Sequence, residues 1–357
     1  MFSENKYKKL RAIRSIAAII FLTSLLFAVV SPSIFNIDIS QAMDYNRARG
    51  SKVCRSCSQT AKAAYMACLN EKRDDDWIAF GNCNNLLDLE ARSECFTESR
   101  SEFWEAYKEC KDQRDARLEI CEELGEGPYD PKLKAEDFVD PENIGSSVTA
   151  NRYFPLVSGT QWVYQGESEE STEKITVTVT GDIKEIEYPS ESGLIFKCAV
   201  VLDVVELDGL VIEKTYDWYA QDMVGNVWYF GEISQEFEDG EMVSLEGSWK
   251  AGRDYAKPGI LMPADPDPEK DNLYRQEFAL GDAEDMGEVV NRGEESVTVP
   301  FNGGTTYDDD VLKTKDFTPL EPDIFEFKFY VPGVGVVLDV NPDTGERVEL
   351  MTQTTLS

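Results

Sequence analysis

Six cysteines between residues 57 and 121 stand in mirror order about residue 89: Cys57 with Cys121, Cys68 with Cys110 and Cys83 with Cys95 each sum to 178. Two antiparallel helices cross-linked rung by rung need such a palindrome. The gaps 57 to 68 and 110 to 121 are both 11 residues, about three helical turns, so the cysteines of each arm share one face. The flanking residues are helical as well. "SQTAKAAYMACLNEKR" is rich in helix formers, and "ESRSEFWEAYKECKDQRDARLEICEEL" spaces Phe103, Tyr107, Cys110, Cys121 and Leu124 at three- and four-residue steps. Between them, "DDDWIAFGNCNNLLDLEARSEC" carries Gly81 and three asparagines, which favour a turn or a short extra helix. The outermost link would close a loop of about 65 residues, which is about 4 kcal/mol in the chain-entropy account.

Zinc wants two close cysteine knuckles or cysteine with histidine, and only Cys54 and Cys57 are close. A thioredoxin-like pair wants its C-x-x-C at a helix start after a strand, which "MDYNRARGSKV" does not suggest. Structural disulfides are therefore expected. The arrangement resembles, in geometry alone, the twin-cysteine hairpins of the coiled-coil-helix-coiled-coil-helix type. Those have nine-residue gaps and two rungs, where this chain has ten-residue gaps and a third rung. Cys54 and Cys198 are left over, free or joined between domains or chains.

Disulfides imply an oxidising compartment, and the N-terminus agrees. Lys6, Lys8, Lys9, Arg11 and Arg14 precede the uncharged run "SIAAIIFLTSLLFAVV", and Ser40-Gln41-Ala42 offers small residues for a signal peptidase. The expectation is an exported protein of the periplasm or cell surface, with residues 1–42 a signal peptide or, uncleaved, an anchor through residues 15–30. No N-x-S/T acceptor occurs, which favours a bacterial envelope. The chain has no histidine. That removes Ser-His-Asp and Cys-His catalysis and the HExxH zinc helix. The net charge is −33, of which −31 falls in residues 127–357, so nucleic acid is not an expected partner.

A Pro-, Gly- and acid-rich stretch over 125–150 reads as a linker. It separates a cysteine-rich helical domain (43–124) from an acidic β domain (151–350) that ends in a short tail (351–357). Short alternating runs recur in the second domain. "KITVTVT" sets Ile175, Val177 and Val179 against threonines, "FKCAVVLDVV" places Phe196, Cys198, Val200, Leu202 and Val204 on one face, and "FEFKFYV" sets Phe325, Phe327, Phe329 and Val331 against charge and Tyr330. This period of two predicts antiparallel sheet with one buried face, turning at Asp208-Gly209 and near Gly225. One short helix is expected near "GDAEDMGEV". The fold class is α+β: a disulfide-stapled helical hairpin followed by an all-antiparallel domain, as a curved sheet, sandwich or barrel.

The segments "NRYFPLVSGTQWVYQG", "YDWYAQDMVGNVWYFGE", "EGSWKAGRDYAKPGILMPADP" and "YVPGVGVV" resemble those of an uncharacterised β-rich domain of exported bacterial proteins, over residues 150–350. The resemblance implies a shared fold and an envelope setting; it implies no reaction. Trp218, Tyr219, Trp228, Tyr229 and Trp249 suggest an aromatic platform for a ligand, against the simpler reading of cross-strand packing. Asp265, Asp267 and Asp271 in "DPDPEKDN" have a calcium-loop spacing but lack the bending glycine and closing glutamate. Calcium is thus the one cofactor to consider. Asp217 with Glu232, or Glu277 with Asp285, could serve a carboxylate-based hydrolase. The reading favoured by the sequence is a non-catalytic binding or structural protein of the envelope, with a hydrolase or a calcium-dependent scaffold as alternatives.

Overall fold

The computed structural model describes residues 55–167 and 171–355. The proposed signal segment and Cys54 lie outside them. The described chain divides between residues 129 and 130 into a helical unit and a β unit.

The helical unit is a hairpin of α1 (Ser56–Asn84) and α2 (Leu89–Leu124). Asp88 caps α2 by accepting from the Ala91 N–H at 2.8 Å. Glu126, just past α2, returns to the start of α1. Its carbonyl accepts from the Ser56 N–H at 3.0 Å, and its carboxylate accepts from the Ser58 N–H at 3.1 Å. Three disulfides, Cys57–Cys121, Cys68–Cys110 and Cys83–Cys95, join the helices in the nested order that the palindrome predicts. They span 64, 42 and 12 residues, taken singly about 4, 4 and 3 kcal/mol of loop entropy. The hairpin depends on them. Its buried apolar set is little more than Ala61, Leu69, Ile78, Ile120 and the cystines, while Trp77 and Trp104 remain exposed.

The β unit begins with β1 (Thr160–Glu167), β2 (Thr172–Glu187), β3 (Ile195–Leu207), β4 (Leu210–Gln221) and β5 (Val227–Glu238). Short strands follow: β6 (Glu241–Ser244), β7 (Trp249–Lys250), β8 (Lys257–Met262), β9 (Tyr274–Arg275) and β10 (Glu277–Phe278). The chain then forms β11 (Met286–Arg292), β12 (Val297–Val299), β13 (Thr305–Tyr307) and β14 (Leu312–Phe317). It ends with β15 (Phe325–Val331), β16 (Gly335–Val340) and β17 (Arg347–Thr355). The residues expected as a tail from 351 are thus the outer half of β17, paired with Thr160–Val163.

All pairings within this sheet are antiparallel, and β1 pairs with both β2 and β17, which places the first and last strands side by side. Residues 274–278 join its two ends: β9 pairs with β11, and β10 pairs with β8. The sheet thereby returns on itself as a nearly closed barrel, with few unprotected edges. Two glycines let this closing run approach its neighbours. A side chain at Gly259 in β8 would meet the Arg275 carbonyl oxygen at 2.4 Å, and one at Gly287 in β11 would meet the Tyr274 ring at 2.5 Å. The helix expected near residues 281–289 does not form. An Ala279–Ala283 turn leads directly into β11, because pairing with β9 and β14 claims those backbone groups.

Residues 130–150 lie along the sheet. The Val139 N–H donates to the Gln221 carbonyl at 3.0 Å, and the Phe138 ring packs on Phe196, Phe230 and Trp228. This segment covers the outer face of β3, where Phe196, Cys198 and Val200 are buried. Residues 151–156 fold next to the barrel. Asn151 fastens them, donating its side-chain N–H groups to the Gly225 and Pro263 carbonyls at 2.7 and 3.1 Å while its amide oxygen accepts from the Tyr153 and Phe154 N–H groups, both at 2.9 Å.

The Gly259→Ala variant should lose about 2–3 kcal/mol or more in chemical denaturation, since its new methyl group strikes backbone that cannot retreat. Gly209→Ala, at a turn with open space around it, should lose only about 1 kcal/mol through its left-handed φ. Equal losses would mean that the closing run is not tightly held.

Candidate functional site

Closure turns every second residue of each strand inward. The inward positions include Trp162 and Tyr164 of β1, Val177 and Val179 of β2, Val201 and Asp203 of β3, Asp217 and Tyr219 of β4, and Glu326, Lys328 and Tyr330 of β15. They surround a cavity of about 90 Å³. Its lining mixes apolar side chains, Leu156, Trp162, Val177, Val179 and Val201, with the carboxyl groups of Asp203, Asp217, Glu277, Asp285, Asp316 and Glu326 and a single ammonium, Lys328. Asp203 stands directly across strands from Val177.

For β15 this reverses the expected face. Glu326, Lys328 and Tyr330 line the cavity, while Phe325, Phe327 and Phe329 turn outward beneath Lys313 and Lys315, with the Lys313 nitrogen 4.2 Å from the Phe327 ring centre. Reading apolar residues as the inward face fails where the interior is itself polar and the outer phenylalanines are sheltered by lysine stems and cation–π contacts. On β3, likewise, the inward set is Val201, Asp203 and Val205, and Phe196, Cys198 and Val200 form the opposite, covered face.

The proposed aromatic platform divides by the same parity. Tyr219 and Tyr229 stack at 4.7 Å in the interior, and Trp249 meets Tyr229 edge-on at 5.4 Å. Trp218 faces the other way beneath Lys184, and Trp228 donates its indole N–H to Asp222 at 3.0 Å.

Asp217 and Glu232 sit opposite each other on β4 and β5, and the Tyr229 hydroxyl lies 2.6 Å from an oxygen of each. A phenol has one proton to donate, so one of the two carboxyls must contribute its own. Burial pushes Asp217 up to about 7. Burial and then the Asp217 charge hold Glu232 well above the usual carboxylate range. Glu277 and Asp285 also meet at the cavity. Burial raises both, Asp285 to about 7, and the Asp285 charge raises Glu277 further.

Lys328 and Asp316 form a buried ion pair at 3.0 Å. Burial opposes the lysine charge, but Asp316, Asp339, Tyr330 and Glu326 around it raise its pKa well above the ordinary amine value. Asp203 has no such partner. It is 2% exposed, and neither of its oxygens has a hydrogen-bond partner among the described residues. Burial, then the charges of Asp217, Glu213 and Glu173, raise its pKa far above the usual range.

The calcium-spaced acids are otherwise engaged. Arg292 donates to Asp265 at 2.5 Å and to Asp310 at 2.7 Å, which ties the two acidic loops together. Asp267 pairs with Lys270, and Asp271 accepts from the Asp267 N–H at 2.9 Å. Among the described residues no three His, Cys, Asp or Glu side chains converge as a metal cage would require. Cys198 is buried without a disulfide, and burial raises its thiol pKa strongly. Comparison with protein-family models, with curated proteins and with solved structures finds no match.

The interior acids make a pH prediction. Glu173, Asp217 and Asp285 stand near 7 and Asp339 near 6, above their ordinary values near 4. Between those limits the folded chain binds more protons than the unfolded one, so stability falls as pH rises. Ion-paired, partly exposed acids with lowered pKa, such as Asp140 and Asp310, act oppositely but below about pH 4. The melting temperature should therefore be higher at pH 5 than at pH 8, and Asp217→Asn should flatten the slope. Calorimetry across that range decides; a melting temperature that climbs towards pH 8 would refute the raised values.

Proposed function

We propose that this protein is an exported, non-catalytic binding protein whose barrel receives a small ligand. The observation that carries this reading is an interior cavity lined by both apolar and acidic side chains, with a buried carboxyl group, Asp203, that has no hydrogen-bond partner among the described residues. Structural cores avoid that arrangement because it costs stability; a site that exchanges the cost for ligand contacts retains it. Three disulfides support an oxidising, extracellular setting. The segments that resemble an exported bacterial domain favour the periplasm or cell surface within it.

A carboxylate hydrolase would need an acid and a base flanking an open position. The space between Asp217 and Glu232 is bridged by the Tyr229 hydroxyl, which favours binding over catalysis at that pair. In the test, a panel of small amines, alcohols and acids is screened by thermal shift and calorimetry. Val177, paired across strands with both Trp162 and Asp203, serves as the block. A ligand at 100 times its Kd should stabilise by about 2.7 kcal/mol, a rise of about 5–10 °C for a unit of this size. Val177→Phe should abolish the rise with little change in the free protein's melting temperature. If the panel stabilises Val177→Phe as much as the parent, the interior is not the site.

A further inference from the structure

Deepening the binding reading above, on which this step rests, we infer that the ligand is a small organic ammonium compound, its charged head on Asp203 and its short apolar body against Trp162, Val177 and Val179. Asp203 is the anchor because its two oxygens have no partner among the described residues although the side chain is 98% buried and lines the cavity. The nearby donors are committed elsewhere. The Lys328 ammonium is held by Asp316 at 3.0 Å. The Tyr164 hydroxyl donates to the Val336 carbonyl at 3.1 Å, and the Tyr229 hydroxyl is bound between Asp217 and Glu232.

The one ammonium lining the cavity is held by Asp316, so an anionic head would meet no uncommitted cation, whereas the carboxyl groups around it can ionise against a cationic head. The cation is organic on two grounds. A calcium ion asks for six to eight oxygens converging at about 2.4 Å, and no three acidic side chains among the described residues converge in that way. The valines and tryptophan beside Asp203 offer contact to hydrocarbon, not to a hydrated ion. Size limits the body. A cavity of about 150 Å³ accommodates the six carbons of benzene, so 90 Å³ suits a body of about four non-hydrogen atoms.

Charge linkage gives the site a second signature. The groups facing Asp203 are Asp217, Glu213 and Tyr219 from β4, Glu173 from β2, Tyr164 from β1 and Lys328 from β15. In this buried, largely acidic surround the free carboxyl holds its proton far above the usual carboxylate range. An ammonium head favours the ionised form, so binding expels that proton to solvent and affinity rises with pH until the carboxyl ionises unaided.

Calorimetry with n-butylammonium, butan-1-ol and butyrate tests head-group charge on bodies of similar size. Butylammonium should bind at least tenfold more tightly than butanol, and butyrate more weakly than either. About one proton per ligand should be released at pH 7, read from buffers of different ionisation enthalpy. Affinity should rise several-fold from pH 6 to pH 8. Asp203→Asn, isosteric with the protonated carboxyl and unable to ionise, should fold normally, keep the butanol affinity and lose both the ammonium preference and the proton release. Equal affinities for butylammonium and butanol, or an ammonium preference that survives Asp203→Asn, would overturn the ammonium assignment and leave the binding barrel standing. Binding of none of the three at millimolar concentration would overturn the binding reading itself.

Discussion

A buried carboxylate without a counter-charge must take up a proton or find a cation, and the interior of this barrel poses that choice at several positions at once. Closing the sheet is what creates the problem. A strand that alternates Val201 with Asp203, or Glu326 with Lys328 and Tyr330, could leave its polar positions in water if the sheet were open. Once residues 274–278 join β8 to β11, those positions have nowhere to turn but inward. The interior answers in part from its own resources: Lys328 with Asp316, and Tyr229 between Asp217 and Glu232. Asp203 is left over, and both the proposed function and the nature of the ligand rest on it.

The helical unit solves a different problem by different means. Its charged faces and thin apolar seam bury too little surface to hold two long helices together in water. Three covalent rungs compensate, and Glu126 seals the open end of α1 with backbone and side-chain acceptors. The β unit has no disulfide among its described residues. Its order comes from strand pairing, from the aromatic cluster of Phe138, Phe196 and Phe230, and from Asn151, whose bonds fasten residues 151–156.

The disulfide rungs were legible in the sequence because a covalent link between antiparallel helices imposes a sum rule that six positions satisfy together. Strand periodicity was legible for the same reason that it is physical: Ile175, Val177 and Val179 do alternate, and Asp208-Gly209 does turn. The inward face was not, and β15 shows why. Alternation fixes which residues share a face but not which face points in, and the assumption that apolar means buried fails around a polar interior. The five aromatic residues divide by parity, since adjacent residues such as Trp218 and Tyr219 cannot share one side of a strand, while Tyr219, Tyr229 and Trp249 pack together. The acids paired in the sequence reading, Asp217 with Glu232 and Glu277 with Asp285, do meet in space. Asp203 carried no local mark, because its importance arises only from neighbours supplied by four other strands.

The most direct test of this account is a residue-resolved carbon NMR titration of the aspartate and glutamate carboxyl groups in the ligand-free protein, with Asp203 assigned through Asp203→Asn. A buried, unpartnered Asp203 should remain protonated well above the ordinary carboxylate range, while Asp310, held by Arg292 and Arg152, titrates below it. An Asp203 signal that titrates near pH 4 would show a carboxylate already hydrated or paired, and would contradict the central claim.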